Sequence, residues 1–160
     1  MPNSSETPRV DRETLEGLLA RVRAATGPDE TLDADLYLGL GIYTRHNRLA
    51  EWPDQAPMWA YHDSIRNLTA AHHPMVRPLT ASLDAAVALV ERVLPDLYRV
   101  TRFDPRLVSG MAFHCALQRL HLPGTGAAQW TAEAYAPTEP LAILAALLSA
   151  LLAQHEPTDV

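Results

Sequence analysis

From Leu141 to Ala153 the chain reads LAILAALLSALLA, without one charged residue. At about 100° per residue, Leu141, Ile143, Leu144, Leu147, Leu148, Leu151 and Leu152 fall on one half of a helical wheel. Ala142, Ala145, Ala146, Ser149, Ala150 and Ala153 fall on the other. The large half must be covered by the rest of the chain. The small half either meets water or lets another backbone approach closely. A membrane span takes about 20 apolar residues, so a run this short predicts a buried core helix. Its start is marked three times over: Thr138 can cap the first turn, Glu139 suits the helix dipole, and Pro140 gives up an N–H that a first turn does not need.

The residues just before it alternate. In Ala128–Tyr135, Ala128, Trp130, Ala132 and Ala134 share one side, and Gln129, Thr131, Glu133 and Tyr135 the other, which predicts a half-exposed strand. Two further strands are predicted upstream. Leu97–Phe103 (LYRVTRF) mixes aromatic and β-branched residues, with Arg99 and Arg102 on opposite faces. Gly110–Leu120 sets Met111, Phe113, Cys115 and Leu117 against Ala112, His114, Ala116 and Gln118. Asp104-Pro105 and Pro123-Gly124-Thr125-Gly126 supply turn chemistry after each of these two strands. The expectation is a three-stranded antiparallel sheet followed by the long helix.

Ahead of the strands come three helices. The first runs from Arg12 to Thr26 with the stripe Leu15, Leu18, Leu19, Val22 and Ala25, and Gly27-Pro28 stops it. The second, Thr31–Leu40, places Leu32, Leu36 and Leu40 on one face and Asp33 and Asp35 early, with Gly39 and Gly41 at its end. The third starts at Ser82, an N-cap residue type, with Asp84 in the first turn, the stripe Leu83, Val87, Val90 and Leu94 with Ala86 and Val93 beside it, and Pro95 as terminator. Helices, then strands, then a helix make the fold class α+β. Residues 1–10 read as a polar tail and residues 11–155 as one domain.

Within that domain, residues 42–78 hold no period. They carry Trp52 and Trp59, four histidines (His46, His62, His72, His73) and four prolines, and they admit a short helix over Ala60–Ala70. A long irregular segment inside a domain is a natural place for a recognition surface. Trp52, Trp59 and Tyr61 are therefore the candidate partner-binding residues, since large aromatics in such segments often anchor interfaces. They would serve equally well folded down over the core.

Net charge is −6, which argues against nonspecific binding to nucleic acid or to an anionic membrane. All 13 basic residues are arginine. The single cysteine, Cys115, excludes an internal disulfide, and the start MPNSSETPRV shows no apolar leader, so a cytoplasmic protein is expected. Cys115 lies mid-strand among apolar neighbours, with His114 on the opposite face, and reads as core rather than as a catalytic thiol. His72 and His73 are adjacent and point apart in any regular element; His46, His62 and one of His72 or His73 could converge on a metal, but solvated loop histidines are the default reading and no metal site is expected. Asp29-Glu30 and the Asp33, Asp35 pair sit where a helix start favours acids. Gly124-Thr125-Gly126 lacks the lysine of a phosphate loop. Arg99 and Arg119, with Gln129, would form a small anion-binding patch if they shared an exposed sheet face.

Four pieces in order carry a resemblance: LLARVRAATGPDETLDADLYLGLG, then RPLTASLDAAVALV, then the pair of strands, then AEAYAPTEPLAILAALLSALLA. This succession resembles the phage ABA sandwich domain family, small proteins of phages and prophages. Its members share an opening LLxxxxAATGPDxxLD, a central YTxSxDAAxxLV and a closing ATPxxALxxAAL. The likeness spans most of the chain outside the tail and residues 42–77. Leu79 stands where the central motif has an aromatic, and Pro137-Thr138-Glu139-Pro140 replaces a plain Thr-Pro. The resemblance implies layered helices and sheet and a phage origin. It brings no catalytic residues and no cofactor.

The leading expectation is thus a non-enzymatic accessory protein that binds a macromolecular partner or itself. A small-molecule binder of nucleotide-like ligands, using Arg99 and Arg119, is the alternative. A metal-dependent enzyme built on the histidines stands third.

Overall fold

A computed structural model describes residues 10–46, 60–63, 68–70, 77–95, 97–103, 113–119, 124 and 131–155; at 43–46, 60–63, 68–70, 97–99 and 101–103 it describes the backbone only. The class is α+β. In chain order the elements are α1 (Arg12–Ala24), α2 (Glu30–Gly39), β1 (Tyr43–His46), β2 (Ala60–Asp63), β3 (Leu68–Ala70), α3 (Leu83–Val93), β4 (Leu97–Phe103), β5 (Phe113–Arg119), β6 (Thr131–Ala136) and α4 (Glu139–Ala153).

Every helix starts on a side-chain cap. Asp11 accepts from the Thr14 N–H at 2.8 Å and from its hydroxyl at 2.7 Å, and these bonds, the hydroxyl first, hold the Asp11 carboxyl below the usual range. Asp29 accepts from Leu32 N–H at 2.9 Å, Ser82 from Ala85 N–H at 3.2 Å, and Thr138 from Leu141 N–H at 3.4 Å. Ser82 and Thr138 are legible as caps in the sequence; Asp11 and Asp29 cap one and two residues before the expected helix starts at Arg12 and Thr31.

The end of α2 is equally specific. Ile42 N–H donates to Tyr37 O at 3.0 Å and Gly41 N–H to Leu38 O at 3.1 Å, the paired bonds of a Schellman motif, with Gly41 in the left-handed region at φ 69°. Ile42 and Tyr37 are both buried, supplying the apolar contact that accompanies this ending. Two residues before Gly41, α2 comes very close to α1: a Cβ on Gly39 would stand 2.7 Å from Leu18 Cδ1.

The core is centred on α4. It packs against α1, α3, β5 and β6. Leu141, Ile143, Leu144, Leu147 and Leu148 are buried, and so are Ala142, Ala145, Ala146 and Ala150 on the small half. The alternative left open by the sequence, water or another backbone beside the alanines, is thus resolved in favour of close packing. On α3 the buried residues are Ala85, Ala86, Leu89 and Val90, whereas Leu83 is exposed. Of the expected stripe only Leu83 turns outward; Val90 is buried, and Val87 and Leu94 pack half-buried against the core. Spacings of three and four through Ala86, Leu89, Val90 and Val93 face the core, and the alanines let α3 lie close to its neighbours.

The strands β4, β5 and β6 pair antiparallel in that order. Cys115 and Leu117 of β5 and Ala132, Ala134 and Ala136 of β6 are buried and form the inner row against α4. Thr131, Glu133 and Tyr135 are exposed on the outer row, so β6 alternates as its sequence predicts. A second antiparallel set, β1-β2-β3, is formed by the described residues of the segment expected to be irregular. The sequence admits a short helix over Ala60–Ala70; the described residues of that stretch form β2 and β3 instead. Strands of three and four residues are too short for alternation to show, and Tyr61 and Thr69 favour extended backbone.

Candidate functional site

The outer face of β4-β5-β6 is built from two neighbouring rows. Val100, Ala116 and Glu133 stand opposite one another across the three strands, and Arg102, His114 and Tyr135 form the next row. Val100 is 38% exposed and Tyr135 42% exposed, which makes them, with Leu83, the exposed large hydrophobic residues among those described. Gln118 and Thr131 are exposed beside them. An antiparallel sheet with one face on the core commonly turns a polar face to water; here aromatic and aliphatic side chains are set into that face.

At its centre His114 is 4% exposed. Its Nε2 lies 3.3 Å from Glu133 Oε2, and its ring centroid lies 4.7 Å from that of Tyr135, tilted by 40°. The other ring nitrogen is Nδ1. That Nδ1 is buried and, among the described residues, has no hydrogen-bond partner. Most buried polar atoms are paired, so this one marks a polar position short of one partner. The carboxylate of Glu133, by contrast, is 55% exposed along its side chain. The arrangement can hold a cation or a donor at the surface; it brings no nucleophile together with a base.

The residues singled out by sequence fall as follows. Trp52 and Trp59 lie outside the described residues. Tyr61 is in β2, its backbone paired with Arg45 and Ala70, and its side chain is outside the described residues. Arg99 stands opposite Leu117 and Arg119 opposite Leu97, in the row that also contains buried Cys115 and Leu117. Arg119 is half-buried at the strand end, and Gln129 lies outside the described residues. Cys115 is buried, as a core cysteine. His46 and His62 occupy β1 and β2, with His62 opposite Thr44; His72 and His73 lie outside the described residues. No group of three or more His, Cys, Asp or Glu side chains among the described residues is placed to hold a metal ion. No helix among them is long and apolar enough to cross a membrane.

Sequence reasoning missed the His114, Glu133, Tyr135 cluster. Alternation put His114 on the outer face of β5 and Glu133 and Tyr135 on the polar face of β6. Only the strand register, which single-strand patterns do not contain, brings the three together.

A second polar cluster lies beneath α2. Asp33 is 2% exposed, and its Oδ1 accepts the Thr80 N–H at 2.7 Å. The Asp29 N–H donates to Thr80 Oγ1 at 2.8 Å. Burial pushes the Asp33 carboxyl above its ordinary range, against the Thr80 bonds that pull it down, with the nearby Asp29 and Glu30 charges adding to the rise. Each polar group here is matched, so the cluster fastens the start of α2 to the approach of α3 rather than presenting a site.

No known protein family, no curated protein and no solved structure matches this chain.

Proposed function

We propose that this chain is a non-enzymatic accessory protein of phage or prophage origin, working in the cytoplasm by binding a macromolecular partner or a second copy of itself. The observation that carries the reading is the exposure of Tyr135 and Val100 on the outer sheet face, while the inner face of the same sheet is closed by α4. Large side chains held in fixed positions by a rigid sheet lose little freedom on binding and bury much area. The phage origin rests on the resemblance of the LLARVRAATGPDETLD, SLDAAVALV and APTEPLAILAALL segments to the phage ABA sandwich domain family. Trp52, Trp59 and Tyr61 remain the second set of proposed contacts in the same reading.

Native mass spectrometry of the full chain, purified gently from a cytosolic host, tests it. The wild type is expected to retain a stoichiometric protein partner or a second copy, and the Val100→Ser/Tyr135→Ser variant to lose it while keeping its far-ultraviolet circular dichroism. A partner kept unchanged by that variant would remove the outer face from the proposal and pass the role to Trp52 and Trp59. A bare monomer under every condition would count against partner binding altogether.

A further inference from the structure

We propose that the outer face of β4-β5-β6 receives an arginine-bearing, net-basic segment of a protein partner, an inference that rests on the docking role assigned to this face above. Glu133 and Tyr135 are two residues apart on one strand and both lie on the exposed row. His114 Nε2 holds one carboxylate oxygen, Oε2, at 3.3 Å, which fixes the orientation of the group; Oε1 has no partner among the described residues. The Tyr135 ring packs at 4.7 Å against the ring of His114 and keeps 42% of its surface open. A fixed carboxylate next to an open phenol ring is complementary to a guanidinium, which bonds carboxylates through parallel N–H groups and stacks on aromatic faces. Lysine offers a point charge and can satisfy only the first half of that description.

Two further observations agree. Val100 is exposed on the adjoining row and can cover the aliphatic stem that an arginine brings. The chain's charge of −6 draws a basic segment and repels a second copy of the same charge, which selects a heterotypic partner over self-association.

The test is a titration of the full chain with acetylated hexa-arginine amide and with hexa-lysine amide, followed by calorimetry and by backbone amide shifts. Hexa-arginine is expected to bind several-fold tighter than hexa-lysine, with shifts centred on residues 113–119 and 131–136. Glu133→Gln should weaken it about tenfold, and Tyr135→Leu, which keeps the apolar area, about fivefold. Glu91→Gln, which neutralises an exposed carboxylate on α3, should change it by less than about twofold. Equal affinity for the two peptides, equal loss in Glu91→Gln, or no binding at millimolar peptide would each overturn the assignment. The failure modes separate. If the partner seen by native mass spectrometry is lost in Val100→Ser/Tyr135→Ser yet kept in Glu133→Gln, the docking face stands and the arginine assignment falls. If it is kept in both, the docking face itself falls.

Discussion

Asp33 shows how one buried carboxylate can be both a tether and a burden. Its oxygen satisfies the Thr80 N–H, but its charge is held away from water, and burial raises the carboxyl above its ordinary value. A folded-state value above the unfolded one means that the fold favours the protonated acid. The stabilising contribution is complete below the ordinary carboxylate value and is lost as pH rises through the raised one, so at neutrality the charge works against the fold. Asp33→Asn keeps an oxygen for the Thr80 N–H and removes the charge. Its urea midpoint should equal or exceed that of the parent at pH 7, and the difference should vanish below about pH 4. A lower midpoint at pH 7 would show that the hydrogen bonds outweigh the burial. Asp33→Ala removes the acceptor as well, and leaving the Thr80 N–H orphaned should cost about 1–3 kcal/mol at neutral pH. From sequence, Asp33 is visible only as an acid near a helix start. Its partner is 47 residues away along the chain, and no local spacing announces a bond that the packing of α2 on the approach to α3 creates.

At the scale of elements, the ends were more legible than the faces. Gly41 stands at φ 69°, where a side chain meets the backbone, so Gly41→Ala should destabilise the fold by about 1–2 kcal/mol in urea titrations. The pattern of an apolar helix followed by glycine foretold that ending, because capping is decided by residues adjacent in sequence. The buried side of α3 was harder to see. Of the spacing Leu83, Val87, Val90 and Leu94, the last three meet the core and Leu83 is exposed, while Ala85 and Leu89, outside that spacing, are buried beside Ala86 and Val90. The consequence can be measured by a reversed pair. Leu83→Ala, at an exposed position, should change stability by no more than about 0.5 kcal/mol. Ala86→Leu, at 0% exposure, should cost about 1–3 kcal/mol through overpacking. The opposite order would restore the leucine stripe. The outer face of the sheet follows the same lesson: alternation within β5 and β6 was readable, but the register that unites His114, Glu133 and Tyr135 was not.

For the whole molecule, the uncharged run at the C-terminal end proves to be the shared wall of two layers. One side of the fold, α1 and α3, and the other, β5 and β6, both rest on α4, and neither has a comparable apolar surface of its own among the described residues. That dependence was half legible. The leucines had to be covered, and the α+β class followed from the order of helices and strands. The alanine half gave no choice between water and protein, because a small side chain suits either; burial of Ala142, Ala145 and Ala146 settles it by enclosing α4. Enclosure has a kinetic and thermodynamic signature. If α4 is common to both layers, loosening it must loosen helices and sheet together, since each loses the surface it packs on. Leu144→Ala, at a fully buried position, should lower stability by about 2–5 kcal/mol. The loss should appear with the same midpoint in circular dichroism at 222 nm and in the exchange of β5 and β6 amide protons, as one cooperative transition requires. Midpoints that separate, with the sheet amides still protected after the helical signal is gone, would show that β4-β5-β6 stands without α4. The outer face would then be a surface that can open from both sides rather than a platform held rigid from within, and the docking role argued for Tyr135 and Glu133 would lose its physical basis.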